Sequence, residues 1–383
     1  MLFKEILCNN NIKRKLLSSY HNNMIPHSQF FFGKSGSPNL VLAIAYSQYL
    51  MCKKKNKVDS CGRCESCIKY KKFTHPDLHF IFPLASVNKT KPLSINFIKY
   101  WQNILLDKVY FSHIDWLNLI NLENKKSIIN VDEIKSLTRK IYLKPYESNI
   151  KVIIIWMPEK MNNQASNKIL KILEEPPSNT YIIFVGNSKD ELIPTVLSRL
   201  QITYIPNFTD GEINEYLISL GVDSSKSNVI SKLVDGDLSK AISLTENKTN
   251  DSVLEEDFIT WMRLCFSLIK KNNSNDLILF LSKISKYSRE NQIIFLSYSL
   301  SIFRDAFMTN IGQKNLKKMI FLSENFNFNK FSNFINFNNF EEIVNLFNQS
   351  IINLERNANS NLLYLDISIK LCYLMNINLK KKN

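Results

Sequence analysis

Four cysteines in one short run constrain this chain more than any other feature. Cys52, Cys61, Cys64 and Cys67 stand in CKKKNKVDSCGRCESC, a C-x8-C-x2-C-x2-C spacing. Two successive C-x2-C steps let backbone turns aim thiolates at one ion, and the longer excursion returns a fourth sulfur to close a tetrahedron. Gly62 relaxes the backbone at the first tight step. The start MLFKEILCNN places Lys4 and Glu5 ahead of any apolar run, so no secretory leader is expected. A reducing compartment then favours a metal over two disulfides. Four cysteines leave no open coordination position, so the expected ion is a structural zinc.

The chain has 383 residues, enough for two or three domains. Hydrophobic residues make up 45%, which supports ordinary cores, and no apolar run is long enough to suggest a membrane span. Only eight glycines are present, so a glycine-built phosphate loop can rest on Gly33 and Gly36 alone. A net charge of +15 suits work beside nucleic acid. Against that, Lys, Asn and Ile are abundant everywhere, and the basic residues read as spread rather than gathered in one dense tract. Cys8, Cys265 and Cys372 have apolar neighbours and read as small core residues.

Phe30-Phe31-Phe32, the loop Gly33-Lys34-Ser35-Gly36-Ser37-Pro38 and an amphipathic stretch from Asn39 to Met51 read as strand, loop and helix. Two β-branched runs, 151–157 and 180–186, predict strands covered on both faces, as in a parallel sheet. Between them a helix is expected over 162–173, carrying Ala165, Ile169, Ile172 and Leu173 on one face and stopped by Pro176-Pro177. Asp132 is the expected N-cap of an earlier helix with Ile134, Leu137 and Ile141 inward. Short helices are expected at 210–220, 225–234 and 238–245, then a polar linker at 246–252. Beyond it the chain reads as all helix, with Phe258, Trp261, Met262, Cys265 and Ile269 forming a packing stripe.

A working phosphate loop follows G-x-x-x-x-G-K-[ST], in which backbone amides and a lysine hold phosphate and a hydroxyl holds magnesium. Counting from Gly33, the last three places hold Pro38, Asn39 and Leu40. Pro38 has no amide proton, Asn39 no charge, and Leu40 no metal ligand. The acidic pair expected after the second core strand is also missing: Trp156-Met157-Pro158-Glu159 follows it, and Glu159 reads as a residue at a helix N-terminus. This loop is not expected to hydrolyse ATP.

The segments around CGRCESC and Thr74-His75-Pro76-Asp77, the run from Asn167 through Lys171-Ile172-Leu173-Glu174-Glu175-Pro176-Pro177, and Leu197-Ser198-Arg199 resemble bacterial DNA polymerase III clamp-loader subunits over roughly residues 1–245. The degenerate loop resembles the delta-prime branch rather than the ATP-hydrolysing gamma/tau branch. The resemblance implies an α/β fold: a RecA-like AAA+ domain with a parallel sheet over 1–205, carrying a zinc module at 52–67. A helical lid over 206–248 and an all-α collar over 249–383 that serves oligomerisation would follow. It implies that Arg199, beside Ser198, reaches a neighbouring subunit's ATP, a role worth factors of about 10³ in rate. Ser239 stands where the family senses nucleotide with an arginine.

The implied function is that of a cytoplasmic, non-catalytic stator of the polymerase holoenzyme. Its partners would be the gamma/tau and delta subunits, with the sliding clamp and primed DNA met through the assembled complex. Two other readings are a gamma/tau-type ATPase with an unusual loop and a stand-alone zinc nucleic-acid-binding protein. The stretch around 85–128, with Tyr100, Trp101, Tyr110 and Trp116, is longer than the resemblance requires and reads as an added packing layer.

Overall fold

The computed structural model describes residues 1–85, 92–122, 127–246, 251–271, 275–287, 289–313, 326–356 and 358–380. Backbone contacts divide the chain into two compact units: Met1–Glu212 with Gly236–Lys240, and Ile213–Asp235 with Ala241–Asn383. The helices expected for a lid at 206–248 are shared between these units.

In the first unit α1 (Asn10–His21), β1 (Ser28–Phe32), α2 (Asn39–Met51) and α3 (Glu65–Lys71) come first. They are followed by β2 (Leu78–Ile81), β3 (Leu84–Ala85), α4 (Ile98–Asp107), α5 (His113–Leu119), β4 (Ser127–Ile128) and α6 (Val131–Ile141). Then come β5 (Lys151–Trp156), α7 (Asn163–Glu174), β6 (Thr180–Gly186), α8 (Pro194–Leu197) and β7 (Gln201–Tyr204). Among the described residues, five strands form one parallel sheet in the order β2-β5-β6-β1-β7, while β3 and β4 make a small antiparallel ribbon. This is the α/β class expected, with its parallel sheet.

The sheet forms where the β-branched runs predict it. Every residue of β5 is buried, and β6 is buried at all but Tyr181, so apolar side chains fill both faces. Lys151 opens β5 inside this core, and its ammonium donates to the carbonyls of Lys140 and Leu143. Helix α7 is capped as expected: the Asn162 side chain accepts from the Ala165 N–H at 2.8 Å. Two expectations need correction. The cap of α6 is Asn130, not Asp132; its side-chain oxygen accepts from the N–H groups of Asp132 and Glu133. Helix α2 is not amphipathic in use, because all of its residues are buried. Lying between the sheet and its covering elements, it needs an apolar surface all round.

The longer stretch builds core. Trp101 and Trp116 are fully buried and Tyr110 nearly so, whereas Tyr100 is half exposed. The Trp101 ring stacks on Phe82 at 4.4 Å and meets Trp116 and Trp156 at 5.1 Å. Trp116 Nε1 donates to the Pro83 carbonyl at 3.1 Å. Residues 86–91 and 123–126 of this stretch lie outside the described residues.

The second unit is helical. It takes most of α9 (Asp210–Ser219), then α10 (Ser224–Leu233), the later part of α11 (Leu238–Glu246), α12 (Asp251–Lys271) and α13 (Asn275–Ile284). Next come α14 (Arg289–Asn310), α15 (Phe328–Ser332), α16 (Phe340–Glu355) and α17 (Ser360–Lys380). Phe258, Trp261, Met262 and Cys265 are buried in its core, as their stripe predicts. Cys372 is buried there too, its thiol against the Cys265 carbonyl at 3.3 Å, but Cys8 in the first unit is only half-buried and not a core residue.

Asp77 explains the Thr74-His75-Pro76-Asp77 segment. Its carboxylate, 2% exposed, accepts from the N–H groups of Tyr146, Glu147 and Ser148 at 2.6, 2.9 and 2.9 Å. The turn that feeds β5 is thereby pinned to the residue that opens β2. Burial alone would raise this carboxyl, but the three amides and the Ser148 hydroxyl hold it below its ordinary value of 3.8. A depressed carboxyl stabilises above the unfolded pKa and loses that contribution as pH falls through the folded one. Asp77→Asn should therefore cost about 2–4 kcal/mol near neutral pH. In urea melts at descending pH, the gap between wild type and variant should be constant above about pH 5 and close below about pH 4. A gap independent of pH would show that charge at Asp77 is irrelevant.

Candidate functional site

The four cysteines converge. Cys52 ends α2, Cys61 lies in the loop, Cys64 caps α3 and Cys67 sits within it. Their sulfurs all lie within 4.8 Å of one another, and the pairs Cys52–Cys64 and Cys61–Cys67 are 3.9 Å apart. Zinc–sulfur bonds of about 2.3 Å at tetrahedral angles separate sulfurs by about 3.8 Å, whereas a disulfide needs about 2 Å. The donor set therefore fits a zinc ion. Backbone N–H groups support it: Cys61 N donates to Cys52 Sγ and Cys64 N to Cys61 Sγ, each at 3.3 Å. Gly62 takes φ +70°, the left-handed turn that the first C-x2-C step requires. Burial would raise the Cys61 thiol, but N–H donors from Arg63 and Cys64 and the adjacent sulfurs bring it down to about 6.

The loop after β1 is filled by the chain itself. Pro38 caps α2, and the Asn39 amide donates to the Gly186 carbonyl at 3.0 Å. The Asn39 side-chain oxygen accepts from Leu40 N at 2.8 Å. Gly36 has φ +81°, and a Cβ built there would lie 2.1 Å from Asp237 Oδ1. A buried carboxylate thus abuts the loop where a phosphate would need room, and like charge repels phosphate. Asp237 is held by Ser239 Oγ at 2.6 Å and Lys240 N at 3.1 Å. Ser239, in the sensor place, is thus committed to Asp237. Lys34 points to solvent. A small cleft beside the loop is lined by Ser37 and Asn39 on one side and by Tyr110, Phe111, His113 and Trp156 on the other.

Glu159 lies in the first turn of a short 3-10 helix, as expected of its position, but its hydrogen bond goes elsewhere. One oxygen accepts from Asn187 N at 3.1 Å, and the other is buried without a partner. Burial pushes its carboxyl up to about 7. The Met157 N–H is spent on the Val185 carbonyl at 2.6 Å.

Arg199 follows α8, anchored by buried Leu200. Its guanidinium donates to the Thr195 carbonyl at 2.8 Å, to Ser198 Oγ at 3.4 Å and to Glu174 Oε1 at 2.5 Å. The Arg199 and Glu174 side chains are 35% and 50% exposed, so the group stays reachable from solvent. Ser198 Oγ bonds the Thr195 carbonyl at 3.1 Å. The structure does not bring Arg199 to the chain's own loop as a ligand. The sequence reading missed Asp237 and the tie of Asn39 to Gly186, since both depend on contacts across long sequence separations.

Residues 8–209, more than half of the chain, match the family model described as DNA polymerase III, delta subunit. The chain belongs to this family. It is 26% identical over 199 residues to DNA polymerase III subunit delta' of Buchnera aphidicola subsp. Baizongia pistaciae, covering 52% of this chain and 49% of that one. It is 24% identical over 191 residues to the subunit of the same name in Escherichia coli strain K12, covering 50% and 46%. Similarity to DNA polymerase III subunit gamma/tau of Mycoplasma genitalium is 21% identity over 276 residues, covering 70% and 39%. The match spans about half the length of these delta' relatives. No helix among the described residues is long and apolar enough to cross a membrane.

The metal centre makes a direct expectation. Protein purified without added metal should carry close to one zinc per chain by elemental analysis. Cys64→Ser should lose most of it and expose residues 52–67 to protease. A folded, metal-free wild type would remove zinc from the account.

Proposed function

We propose that this chain is a delta-prime-type, non-catalytic subunit of the DNA polymerase III clamp loader. It acts as a stator: it holds gamma/tau and delta subunits in a ring and lends Arg199, steadied by Ser198, to a neighbouring ATPase site. The assembled complex would engage the sliding clamp and primed DNA in the cytoplasm. In this reading the RecA-like domain covers 1–205, a lid 206–248 and an oligomerising collar 249–383. The zinc held by Cys52, Cys61, Cys64 and Cys67 stiffens the first domain.

One observation carries the proposal. The loop Gly33–Leu40 is closed by its own chain, with Asp237 against Gly36 and Asn39 spent on Gly186, while Arg199 remains exposed. An exposed arginine in a chain whose own loop cannot hold phosphate is most useful to a neighbour's nucleotide. The same closure weighs against the gamma/tau ATPase reading. A stand-alone zinc protein has no use for the Ser198–Arg199 pair.

Two measurements test this. The purified chain should show no ATP turnover above background; turnover that persists through purification and vanishes on changing Asn39 or Leu40 would overturn the non-catalytic reading. In a loader reconstituted with gamma/tau and delta subunits, Arg199→Ala should assemble normally. Its clamp- and DNA-stimulated ATPase should fall partially, because one site of several loses a group worth about 10³-fold there. Arg199→Lys should rescue poorly, lacking the planar fork. Clamp loading at the wild-type rate by the Ala variant would make Arg199 a structural residue.

A further inference from the structure

The metal module also gathers charge. Between Met51 and Lys72 stand Lys53, Lys54, Lys55, Lys57, Arg63, Lys69, Lys71 and Lys72 against only Asp59 and Glu65. That is eight cations and two anions in a chain whose whole surplus is +15. This corrects the expectation that the basic residues form no dense tract, since residues 51–72 are one. Lys54 is two residues from Cys52, Lys57 four before Cys61, Arg63 beside Cys64, and Lys71 and Lys72 one turn past Cys67. The sulfurs of those cysteines lie within 4.8 Å of one another.

Part of this charge is spent. Lys53 pairs with Glu65 at 3.3 Å, Lys69 pairs with Glu147, and Lys55 donates to Tyr20 Oη and to the Leu50 carbonyl. Asp59 is buried, its carboxylate accepting from the N–H groups of Phe3, Lys4 and Ser60. Lys54, Lys57, Arg63, Lys71 and Lys72 are left exposed and without an ion pair among the described residues. A zinc tetrathiolate would offset two charges and still leave the module cationic. The backbone carrying them is fixed by Asn56, whose side chain accepts from the N–H groups of Val58 and Asp59, and by the N–H to sulfur bonds. A ligand then has the side chains to order but little of the backbone.

We propose that this module is a sequence-independent seat for the phosphate backbone of duplex DNA, with Lys54, Lys57, Arg63, Lys71 and Lys72 as the contacting cations. The rings decide between duplex and single strand. Single-strand binders stack bases on exposed aromatics, but Tyr49, Tyr70 and Phe73 are buried here. Within residues 51–72 only Val58 and Ile68 stand exposed as large apolar residues. The α3 face that carries Cys67 and Tyr70 points inward, so no apolar face is free for a lipid surface. What remains is a set of exposed cations on a held backbone, which suits phosphates. The inference concerns this chain alone and does not rest on the stator reading.

The test uses the full zinc-loaded chain and a fluorescent mixed-sequence duplex of about 20 base pairs, followed by anisotropy across salt. With five phosphates contacted, affinity should fall about 500-fold between roughly 50 and 200 mM salt. Replacing Lys54, Lys57, Lys71 and Lys72 together by Gln should weaken binding at low salt and reduce that fall to about 4-fold, each lysine removing about one unit of slope. Zinc content and melting temperature should be unchanged, which separates lost contact from lost folding. A control replacing Lys15, Lys144, Lys189 and Lys330 by Gln should keep most of the wild-type slope. Equal effects of the two sets, tighter binding to a single strand of the same length, or dependence on these lysines only for polyglutamate or anionic vesicles would each overturn the proposal.

Discussion

Burial of the central sheet on both faces is the constraint from which the rest follows. Strands β1, β5 and β6 have no wet side, so their backbone groups are satisfied within the ladder and their ends are fixed to one another. At the carboxyl ends, Gly33 N and the Asn39 amide converge on the Gly186 carbonyl. The loop that would carry phosphate is therefore tied to the sheet at both of its ends. Helix α2 leaves this loop and, about 20 Å further on, delivers Cys52 to the metal centre. One buried helix carries the Gly33–Pro38 loop at its start and one of the four clustered cysteines at its end.

The parts of the fold that the sequence exposed are those written in local pattern. β5 and β6 are continuous apolar runs, α7 carries its cap and its proline stop, and the cysteine spacing is itself geometry. Residues that work through distant partners were silent. Asp77 bonds a turn about 70 positions away, and nothing in its neighbourhood announces that. β7 was missed because Gln201–Tyr204 is short and mostly exposed, and β2 because His79 interrupts its apolar run. Asp132 looked like a cap because it precedes the apolar pattern. Asn130, two places earlier, wins because its side-chain oxygen reaches both free amides at the helix start.

The candidate sites divide in the same way. The cluster of four thiols could be read directly, since their spacing sets it. The departure of the loop from the phosphate-binding pattern could be read at Pro38, Asn39 and Leu40, but not the contacts these residues make instead. Deletion of a lysine leaves a weak pocket; a carboxylate against Gly36 turns the pocket's electrostatics around. The aromatic stretch with Trp101 and Trp116 adds to this, since Tyr110, Phe111 and His113 border the same cleft. Such filling is invisible in a sequence because it depends on which loop the added helices happen to meet.

The pairing of Arg199 with Glu174 has a consequence for motion. Both groups are open to water, and exposed pairs of this kind contribute only about 0–1 kcal/mol, less as salt rises. The guanidinium is thus oriented by the Thr195 carbonyl and its carboxylate without being trapped by them. Swapping Glu174 for a more highly charged anion requires only rotation about side-chain bonds, with the backbone held by Leu200 in the core. A resting contact this shallow works like a spring catch: it holds the guanidinium in one place and yields to a stronger anion.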